Sequence, residues 1–599
     1  MCMACSPLGQ ALSGAITASR RGVLRGGGAF ALGAAAHAAG GILNCAVAQA
    51  PSDPSGAPDA IFSGGTVLTM DDRRPTAEAV AVRGGRIVAV GSRAEITGQR
   101  GANTRIVDLG GGTLLPGFVD SHGHVMGVGL QSLSANLLPA PDGEGNDIAA
   151  IQRLLRDWMG RNGPAIQRYG LILGFGYDDS QLQEQRHPNR DDLDAVSRDV
   201  PVLVIHQSSH LGALNSRALE IAGYSAETPD PSGGVIRRRA GGREPDGVME
   251  ETAFYGALAR LFARLDAAAA REMVRAGCAT YARYGYTTGQ AGRENPATLA
   301  ALQQAATQGL LPIDIVAYPD MVSAPDSIAG PYLSRTYQGR LRIGGAKLSL
   351  DGSPQGKTAW LTQPYFRPPA GQPASYVGYP SMPREEAKRQ IDRAFANNWQ
   401  LLTHCSGDAA LDVLIEGVRE ATARHGAGDR RPVLIHGHVT REDQVDALKE
   451  LGIIPSFFPM HTFYWGDWHR DSVLGPERAA NISPCQWALR RGMIFTSHHD
   501  APVANPDSMR VLSATVTRVT RSGQILGPDQ RVPVEIALKA LTLWAAQQNF
   551  EEESKGSIAV GKIADFVVLS ENPVAVAPEQ LAQIRVQETF KEGQSIHRA

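Results

Sequence analysis

The chain has 599 residues, a formal net charge of −2 and 43% hydrophobic residues. This length allows several domains or one large barrel with additions, and the apolar content is ample for a packed core. The near-neutral charge, without a long basic run, excludes the electrostatic footprint of a nucleic-acid-binding protein. Beyond the N-terminal segment no apolar stretch is long enough for a bilayer, so we expect no stable membrane span after processing.

Residues 1–50 are predicted to be a twin-arginine signal peptide. Arg20 and Arg21 precede a weakly apolar, Ala/Gly-rich stretch, and Ala46-Val47-Ala48 or Ala48-Gln49-Ala50 supplies a cleavage site. Twin-arginine export carries folded proteins, which suits a protein that acquires metal in the cytoplasm. The sequence therefore predicts a periplasmic or secreted protein.

Both ends of the mature chain carry short β-like runs. Those between Ala60 and Val90 are separated by Gly-rich turns, and further strands are predicted at Phe566 to Leu569 and near Val586 to Phe590. We predict that 51–113 and 546–599 are the two halves of one small β-sandwich.

The middle of the chain, 114–545, alternates strands with helices such as Arg384 to Asn397. Eight such units predict an α/β fold, a parallel (β/α)₈ TIM-type barrel. The stretch at about 135–265 does not fit one unit, so we expect a subdomain inserted over the barrel mouth. The predicted barrel strands are Thr113–Val119, Thr287–Thr288, Ile313–Val316, Ile343–Leu350, Leu401–His404, Val433–His436, Ile453–Phe457 and Met493–Ser497.

The first of these strands leads into two histidines spaced i, i+2. Side chains along a strand alternate between its two faces, so His122 and His124 point the same way and can bind one metal ion. Gly123 between them is expected to leave room for the ion.

Other polar residues recur where the predicted strands end: Lys347, His404, His436 and Asp500. The C-terminal ends of barrel strands share one face, so these groups can converge with the two histidines. His404 or His436 alone is more often a hydrogen-bonded core histidine, and Asp500 could be a helix N-cap. Lys347 within an apolar strand is harder to explain as a structural residue, because burying an unpaired ammonium costs folding free energy. Together the six residues suit one or two Zn²⁺ ions or another divalent metal.

At this point the chain resembles the amidohydrolase superfamily, and most closely its amidohydrolase-3 branch, which includes N-substituted formamide deformylases. The resemblance implies a metal-dependent barrel flanked by a β-sandwich that hydrolyses amide or related C–N bonds. It also implies that the metals are held by His122, His124, Lys347, His404, His436 and Asp500, with Lys347 carbamylated. The matching residues are Pro116 to His124, Lys347-x-x-x-Asp351-Gly352-Ser353, His404 before Gly407-Asp408, His436, Asp500-Ala501-Pro502-Val503 and Gly556 to Asp565.

The chain departs from the branch near the predicted site. Ile435 and His438 stand where the branch commonly has Glu and Gln, and His498-His499 replace a Gly-Ser pair. Three roles stay open for the extra histidines: additional ligand, substrate contact or pocket wall. The candidates for substrate contact are Tyr177, His210, His438, His461, Trp465, His498 and His499, with Trp465 on a predicted loop after the seventh strand.

We therefore predict a metal-dependent hydrolase of a C–N bond other than a peptide bond, in a small amide such as an N-substituted formamide or a cyclic amide. Asp500 would orient a metal-activated water, take its proton and pass it to the leaving nitrogen. One alternative is a deaminase of an amidine or N-heterocycle, against which Lys347 argues. Another is a non-catalytic periplasmic binding or regulatory protein, which loss of a ligand or of Asp500 would have favoured. A homo-oligomer stays open.

Overall fold

The structure is a computed structural model that describes residues 56–179, 181–209, 211–231, 234–262, 265–369 and 372–599. The predicted signal peptide lies outside these residues, so the twin-arginine motif stays a prediction. Across the described ranges, no helix combines the length and the apolar character that crossing a bilayer requires.

The strands of the described chain fall into four sheets. In chain order they are β1 (Ala60–Leu68), β2 (Thr76–Arg83), β3 (Arg86–Gly91), β4 (Arg105–Asp108), β5 (Thr113–Pro116), β6 (Phe118–Val119), β7 (Ala135–Asn136), β8 (Ile172–Tyr177), β9 (Val202–His206), β10 (Leu211–Leu214), β11 (Gly234–Arg238), β12 (Pro245–Glu251), β13 (Tyr286–Glu294), β14 (Asp314–Pro319), β15 (Leu341–Ile343), β16 (Gly345–Ser349), β17 (Gln400–Cys405), β18 (Val433–His436), β19 (Ile454–Phe457), β20 (Thr496–Ser497), β21 (Phe566–Leu569), β22 (Val586–Lys591) and β23 (Gln594–Arg598).

Helices separate most of the later strands. The α-helices are Arg93–Thr97, Val125–Ser132, Ile148–Arg161, Gly163–Tyr169, Arg190–Asp194, Ser216–Ala222, Thr252–Leu261, Ala267–Arg283, Pro296–Thr307, Arg384–Ala396, Asp408–His425, Glu442–Glu450, Met460–Trp468, Pro476–Ala479, Cys485–Arg490, Ser508–Thr517, Val534–Leu541 and Leu543–Gln548.

The two chain ends meet in one sheet, in the order β23-β22-β21-β5-β1-β2-β3, with β4 beside β1. The junction is the antiparallel pair β5–β21, in which Leu115 lies opposite Val567. This sheet contacts the base of the parallel strands through buried charges, since the Lys591 ammonium lies 2.8 Å from both Asp314 and Asp565. The chain ends therefore associate as predicted, whereas a two-layer sandwich is not confirmed.

The parallel strands form two sheets, β15-β14-β13-β6 and β16-β17-β18-β19-β20. Only Gly344 separates β15 from β16, and an isolated bridge between Asp320 and Lys347 joins the sheets there. At the other edge the Asp500 N–H donates to the His122 carbonyl, 3.2 Å, but no ladder pairs β20 with β6 in the described chain. The α/β class is confirmed, while the ladders do not form the closed ring that the sequence predicts.

The predicted first barrel strand, Thr113–Val119, is two strands in two sheets. β5 belongs to the chain-end sheet and β6 to the parallel strands. The chain crosses between them at Gly117, where an added Cβ would lie 2.4 Å from Thr287. A continuous apolar run hides this change of sheet, because both strands are fully buried.

The segment between β6 and β13 carries a sheet of its own, in the order β11-β12-β10-β9-β8-β7. It reaches the parallel strands where the Gln207 side-chain amide donates to the Val503 carbonyl, 3.1 Å. This contact places the extra sheet beside the loop that follows β20.

Candidate metal centre

The six predicted metal ligands lie on or just after parallel strands. His122 and His124 follow β6, Lys347 lies in β16, and the remaining three lie at or after the ends of later strands. Parallel strands present their C-terminal ends on one face, which is why residues far apart in sequence converge here. All six side chains are buried: His122, His124, Lys347, His404, His436 and Asp500.

The first histidine is held by its own loop. The buried Asp120 carboxylate accepts hydrogen bonds from the backbone N–H groups of His122 and Gln290, both at 3.0 Å. An added Cβ at Gly123 would lie 2.2 Å from the Tyr281 hydroxyl. The expectation that Gly123 leaves room for an ion is therefore wrong, because protein atoms fill that space.

The hydrogen bonds of His122 determine which of its nitrogens is free. Its Nδ1 lies 2.7 Å from Gln290 Oε1, and the Gln290 amide is oriented by donating to the Ser121 carbonyl, 2.9 Å. Nδ1 therefore carries the proton, and the unprotonated Nε2 faces Lys347 Nζ at 3.1 Å and Asp500 Oδ1 at 3.5 Å. The same Asp500 oxygen lies 3.2 Å from His124 Nε2.

His404 and His436 face each other through two unprotonated ring nitrogens, His404 Nδ1 and His436 Nε2. His404 Nε2 donates to the Gly352 carbonyl, 3.1 Å, so its Nδ1 is unprotonated. His436 Nδ1 lies 3.1 Å from His498 Nε2, and His498 Nδ1 lies 3.0 Å from Ser456 Oγ.

The Ser456 hydroxyl donates onward to Ser121, 3.4 Å, so it accepts from His498 Nδ1. His498 Nε2 then accepts the His436 Nδ1 proton, which leaves His436 Nε2 unprotonated. That atom lies 3.0 Å from His404 Nδ1. Two facing lone pairs repel unless a cation lies beside them, so these residues fit a metal ion.

The donor set also fits. Ligand atoms of His122, His436 and Asp500 all lie within 4.8 Å of one another. Imidazole nitrogen with carboxylate oxygen is a set that zinc accepts. Burial lowers the pKa of His122 and His436 well below the usual value, and the nearby Lys347 and His404 respectively add to this. Both rings are thus neutral, the form that binds metal.

Backbone strain marks the same residues. His436 and Asp500 have φ angles of 76° and 51°, in the left-handed region that non-glycine residues seldom adopt. Such a conformation costs about 1–3 kcal/mol and persists where surrounding structure enforces it, often at functional sites.

The cluster opens onto a small, partly open cavity. His404, His436 and Asp500 line one side, and His438 and His461 lie among the residues of the remaining wall. This arrangement places the reactive groups at the wall of a cavity.

The other predicted contact residues lie outside the residues that line this cavity. His498 is behind His436, and His499 Nε2 lies 3.4 Å from Asp120 Oδ1. The Tyr177 hydroxyl lies 3.2 Å from His187, within the sheet between β6 and β13. His210 is outside the described residues.

Trp465 lies on the helix Met460–Trp468, so its predicted loop position is wrong. His461 and Trp465 are one turn apart and share the buried face, with ring centroids 4.6 Å apart. A helix of aromatic residues buried on several sides lacks the alternation of polar and apolar faces that would have predicted it.

Several supporting residues were not predicted. Gln290 orients His122, Ser456 orients His498, and Asp351 accepts from the backbone N–H groups of Ser406 and Gly407 at 2.9 and 2.8 Å. Asp351 belongs to the matched motif, so its sequence context was a signal. Gln290 and Ser456 are single polar residues in buried strands, a weaker signal.

A second group with ligand-like atoms lies in the described chain: Asp178, Asp179 and His206. The Ser208 N–H donates to His206 Nδ1, 3.0 Å, so His206 Nε2 carries a proton and donates to Asp179, 3.0 Å. This histidine is occupied as a donor, so hydrogen bonds within the protein account for the group.

Comparison with known proteins agrees with this geometry. Residues 105–597 match the model described as the amidohydrolase family, and a short stretch, 79–99, matches an imidazolonepropionase-like composite domain of bacteria. The chain is 27% identical to the putative amidohydrolase YtcJ of Bacillus subtilis (strain 168), covering 90% of this chain and 99% of that protein. It is also 27% identical to N-substituted formamide deformylase of Arthrobacter pascens, covering 89% and 97%.

The fold is shared with solved structures. An uncharacterized metal-dependent hydrolase from Pyrococcus horikoshii OT3 superposes with a TM-score of 0.68 at 23% identity, covering 90% of this chain and 100% of that one. The family match spans most of the chain and includes all six predicted ligands. The chain therefore belongs to the amidohydrolase family and is a hydrolase that acts on carbon–nitrogen bonds.

Proposed function

We propose that this protein hydrolyses the amide bond of a small N-substituted formamide or cyclic amide. The observation that carries the proposal is the convergence of four imidazoles, Lys347 and Asp500 at the ends of parallel strands, beside a cavity. The formamide class is supported by the relative from Arthrobacter pascens that bears that name. We also propose that the parallel strands make up a TIM-type barrel, because the nine strands follow one another in order and give eight positions when β15 and β16, separated only by Gly344, count as one.

The residues proposed to hold one or two zinc ions are His122, His124, Lys347, His404, His436 and Asp500. When bound, zinc supplies Lewis acidity, which activates water and polarises a carbonyl. Lys347 is proposed to be carbamylated because its side chain is fully buried among the proposed ligands, 3.1 Å from His122 Nε2, where a carbamate would add anionic oxygen to the donor set.

Asp500 is proposed to be the proton carrier. Its two oxygens point to different histidines, with Oδ1 3.2 Å from His124 and Oδ2 4.0 Å from His436. It also lines the cavity. The carboxylate would take a proton as water adds to the amide carbon, and would deliver it to the nitrogen as the C–N bond breaks. The products are a carboxylic acid, formate in the case of a formamide, and an amine.

The experiment is an activity panel on purified, zinc-loaded protein. N-substituted formamides, cyclic amides and amidines are offered, and amine, acid and ammonia are quantified separately. We expect amine with equimolar acid, and we expect Lys347→Ala to lose zinc and nearly all turnover. Lys449→Ala, at an exposed helical position, is the control and should behave as wild type.

Three results would contradict the proposal. Ammonia from amidines without amide hydrolysis would favour a deaminase, and no turnover by fully zinc-loaded protein would favour a binding or regulatory role. Full zinc content and activity in Lys347→Ala would show that the lysine is structural. Carbamylation itself is tested by ¹³C NMR after incubation with ¹³C-bicarbonate, where the carbamate signal should be absent from Lys347→Ala.

We also propose export by the twin-arginine route, supported by Arg20 and Arg21 ahead of the Ala/Gly-rich stretch. Replacing both arginines with lysine should leave unprocessed protein in the cytoplasm. Cell fractionation measures this, and normal periplasmic accumulation of the double variant would refute the proposal.

A further inference from the structure

The cavity wall away from the metal ligands carries buried polar atoms without partners. His438 is only 2% exposed, yet within the described chain neither Nδ1 nor Nε2 has a hydrogen-bond partner. The same holds for the buried Oε1 atom of Gln355, which lines the same cavity. A buried polar atom left unpaired lowers stability, so it calls for a partner such as a bound ligand or an ordered water.

The ring of His438 is held rigidly in this position. It stacks on His436 with ring centroids 5.4 Å apart, and it packs against His461 at 3.9 Å and Phe458 at 5.9 Å. His461 is in turn fixed by His469, through nitrogens 2.9 Å apart. Aromatic packing therefore fixes the His438 nitrogens without occupying them.

The charges around the cavity indicate what kind of group they would bind. None of the described residues that line it is lysine or arginine, so a carboxylate on the substrate would find no counter-charge. Among the described lining residues the one carboxylate is that of Asp500, which the proposed reaction already uses. The free groups are an imidazole, which offers one donor and one acceptor, and the Gln355 carbonyl, which accepts.

We propose that His438 and Gln355 recognise a second, uncharged amide-like group on the substrate, such as a carboxamide, ureide or imide. The His438 N–H donates to the carbonyl of this second group, and the N–H of the second group donates to Gln355 Oε1. The inference rests on the proposed amide hydrolysis and adds the class of substrate to it. It also gives a role to His438, one of the positions where the chain departs from its branch.

The experiment compares three formamides that differ only in the second group: N-formylglycinamide, N-isobutylformamide and N-formylglycine. The first carries a carboxamide, the second is its apolar isostere and the third carries a carboxylate. With zinc-loaded wild-type protein, kcat/KM for N-formylglycinamide should exceed that for N-isobutylformamide by about 10- to 100-fold, the usual penalty for leaving buried polar groups unpaired. N-formylglycine should be the poorest substrate.

Variants identify the residues responsible. His438→Leu and Gln355→Leu should each reduce the preference for the carboxamide, taken as the ratio of the kcat/KM values for N-formylglycinamide and N-isobutylformamide, to a few-fold. His438→Asn keeps a donor and an acceptor and should retain part of the preference. Equal losses on both substrates would show that the residues are only structural, and a wild type without preference would overturn the proposal.

Binding separates failure of this inference from failure of the proposed function. If wild-type protein hydrolyses none of the three compounds, isothermal titration calorimetry still measures their Kd. Tighter binding of N-formylglycinamide that is lost in both leucine variants would support recognition by His438 and Gln355, while the absence of turnover would refute formamide hydrolysis. Equal or undetectable binding of all three compounds would overturn the inference.

Discussion

Two groups of histidines share the cavity, and they differ in how their nitrogens are paired. At the metal centre the protein fixes the protons of two rings: Gln290 Oε1 accepts a hydrogen bond from His122 Nδ1, and His498 Nε2 accepts one from His436 Nδ1. His438 on the adjoining wall has no such partner in the described chain. Supporting hydrogen bonds therefore orient a ring for metal binding, whereas His438, held by packing alone, keeps its nitrogens available to a ligand.

The largest expected effect is on kcat when Asp500 is replaced, because this residue is proposed both to bind metal and to carry the proton. Asn is nearly isosteric, tolerates the φ of 51° at this position and still offers one oxygen. Asp500→Asn should therefore fold and retain most of its zinc. Because Asn cannot take a proton, kcat on the best amide should fall by about 10²–10⁴.

Zinc content and kcat are measured together to test this. Asp529→Asn, at an exposed position, serves as the control and should match wild type. Turnover within a few-fold of wild type in zinc-replete Asp500→Asn would exclude Asp500 as the proton carrier.

The next effect contrasts His498 with His438. Removing a group that orients a metal-binding imidazole usually weakens metal binding about 10- to 100-fold. His498→Ala should therefore raise the zinc Kd by that factor, as measured by competition with a chromogenic chelator. His438→Ala should leave the zinc Kd within about threefold of wild type, because the His438 nitrogens make no hydrogen bond to any residue of the described chain. Equal changes of the zinc Kd in the two variants would show that His498 and His438 do not differ in their role at the metal centre.

The smallest effect is on stability against pH. Burial lowers the pKa of His469 to about 3, so below pH 6.5 the unfolded chain binds a proton there that the folded chain does not. This contribution to stability is lost as pH falls. His469→Gln removes it, so between pH 7 and 5.5 the unfolding free energy of metal-free protein should decrease by about 1 kcal/mol less than in wild type.

Urea unfolding at the two pH values measures this difference. Gln can preserve a hydrogen bond to His461, which limits the structural change. Identical decreases in the variant and the wild type would show that His469 is accessible to protons in the folded protein.

Much of the parallel-strand region could be predicted from the sequence. Buried runs such as Val433–His436 end on a polar residue, and this pattern located the strand and its histidine together. The converging ends of parallel strands then explain why His404 and His436 meet. Strand patterning at the chain ends likewise predicted that the two ends associate, although β5, which pairs with β21 at their junction, was predicted to be part of the barrel.

What could not be predicted depends on contacts between distant residues. The proton on His436 is fixed by Ser456 through His498, and that on His122 is fixed by Gln290, 168 positions away. Nothing local in the sequence reveals such pairs. The change of sheet at Gly117 was hidden for the same reason, since the close approach that requires a glycine there comes from the distant Thr287.

The central claim is that His122, His124, Lys347, His404, His436 and Asp500 form a metal centre, and anomalous diffraction tests it most directly. Crystals of zinc-loaded protein would be measured on both sides of the zinc absorption edge. We predict anomalous density beside His404, His436 and Asp500. Zinc-replete crystals whose anomalous density lies only elsewhere, for example at Asp178, Asp179 and His206, would contradict the account.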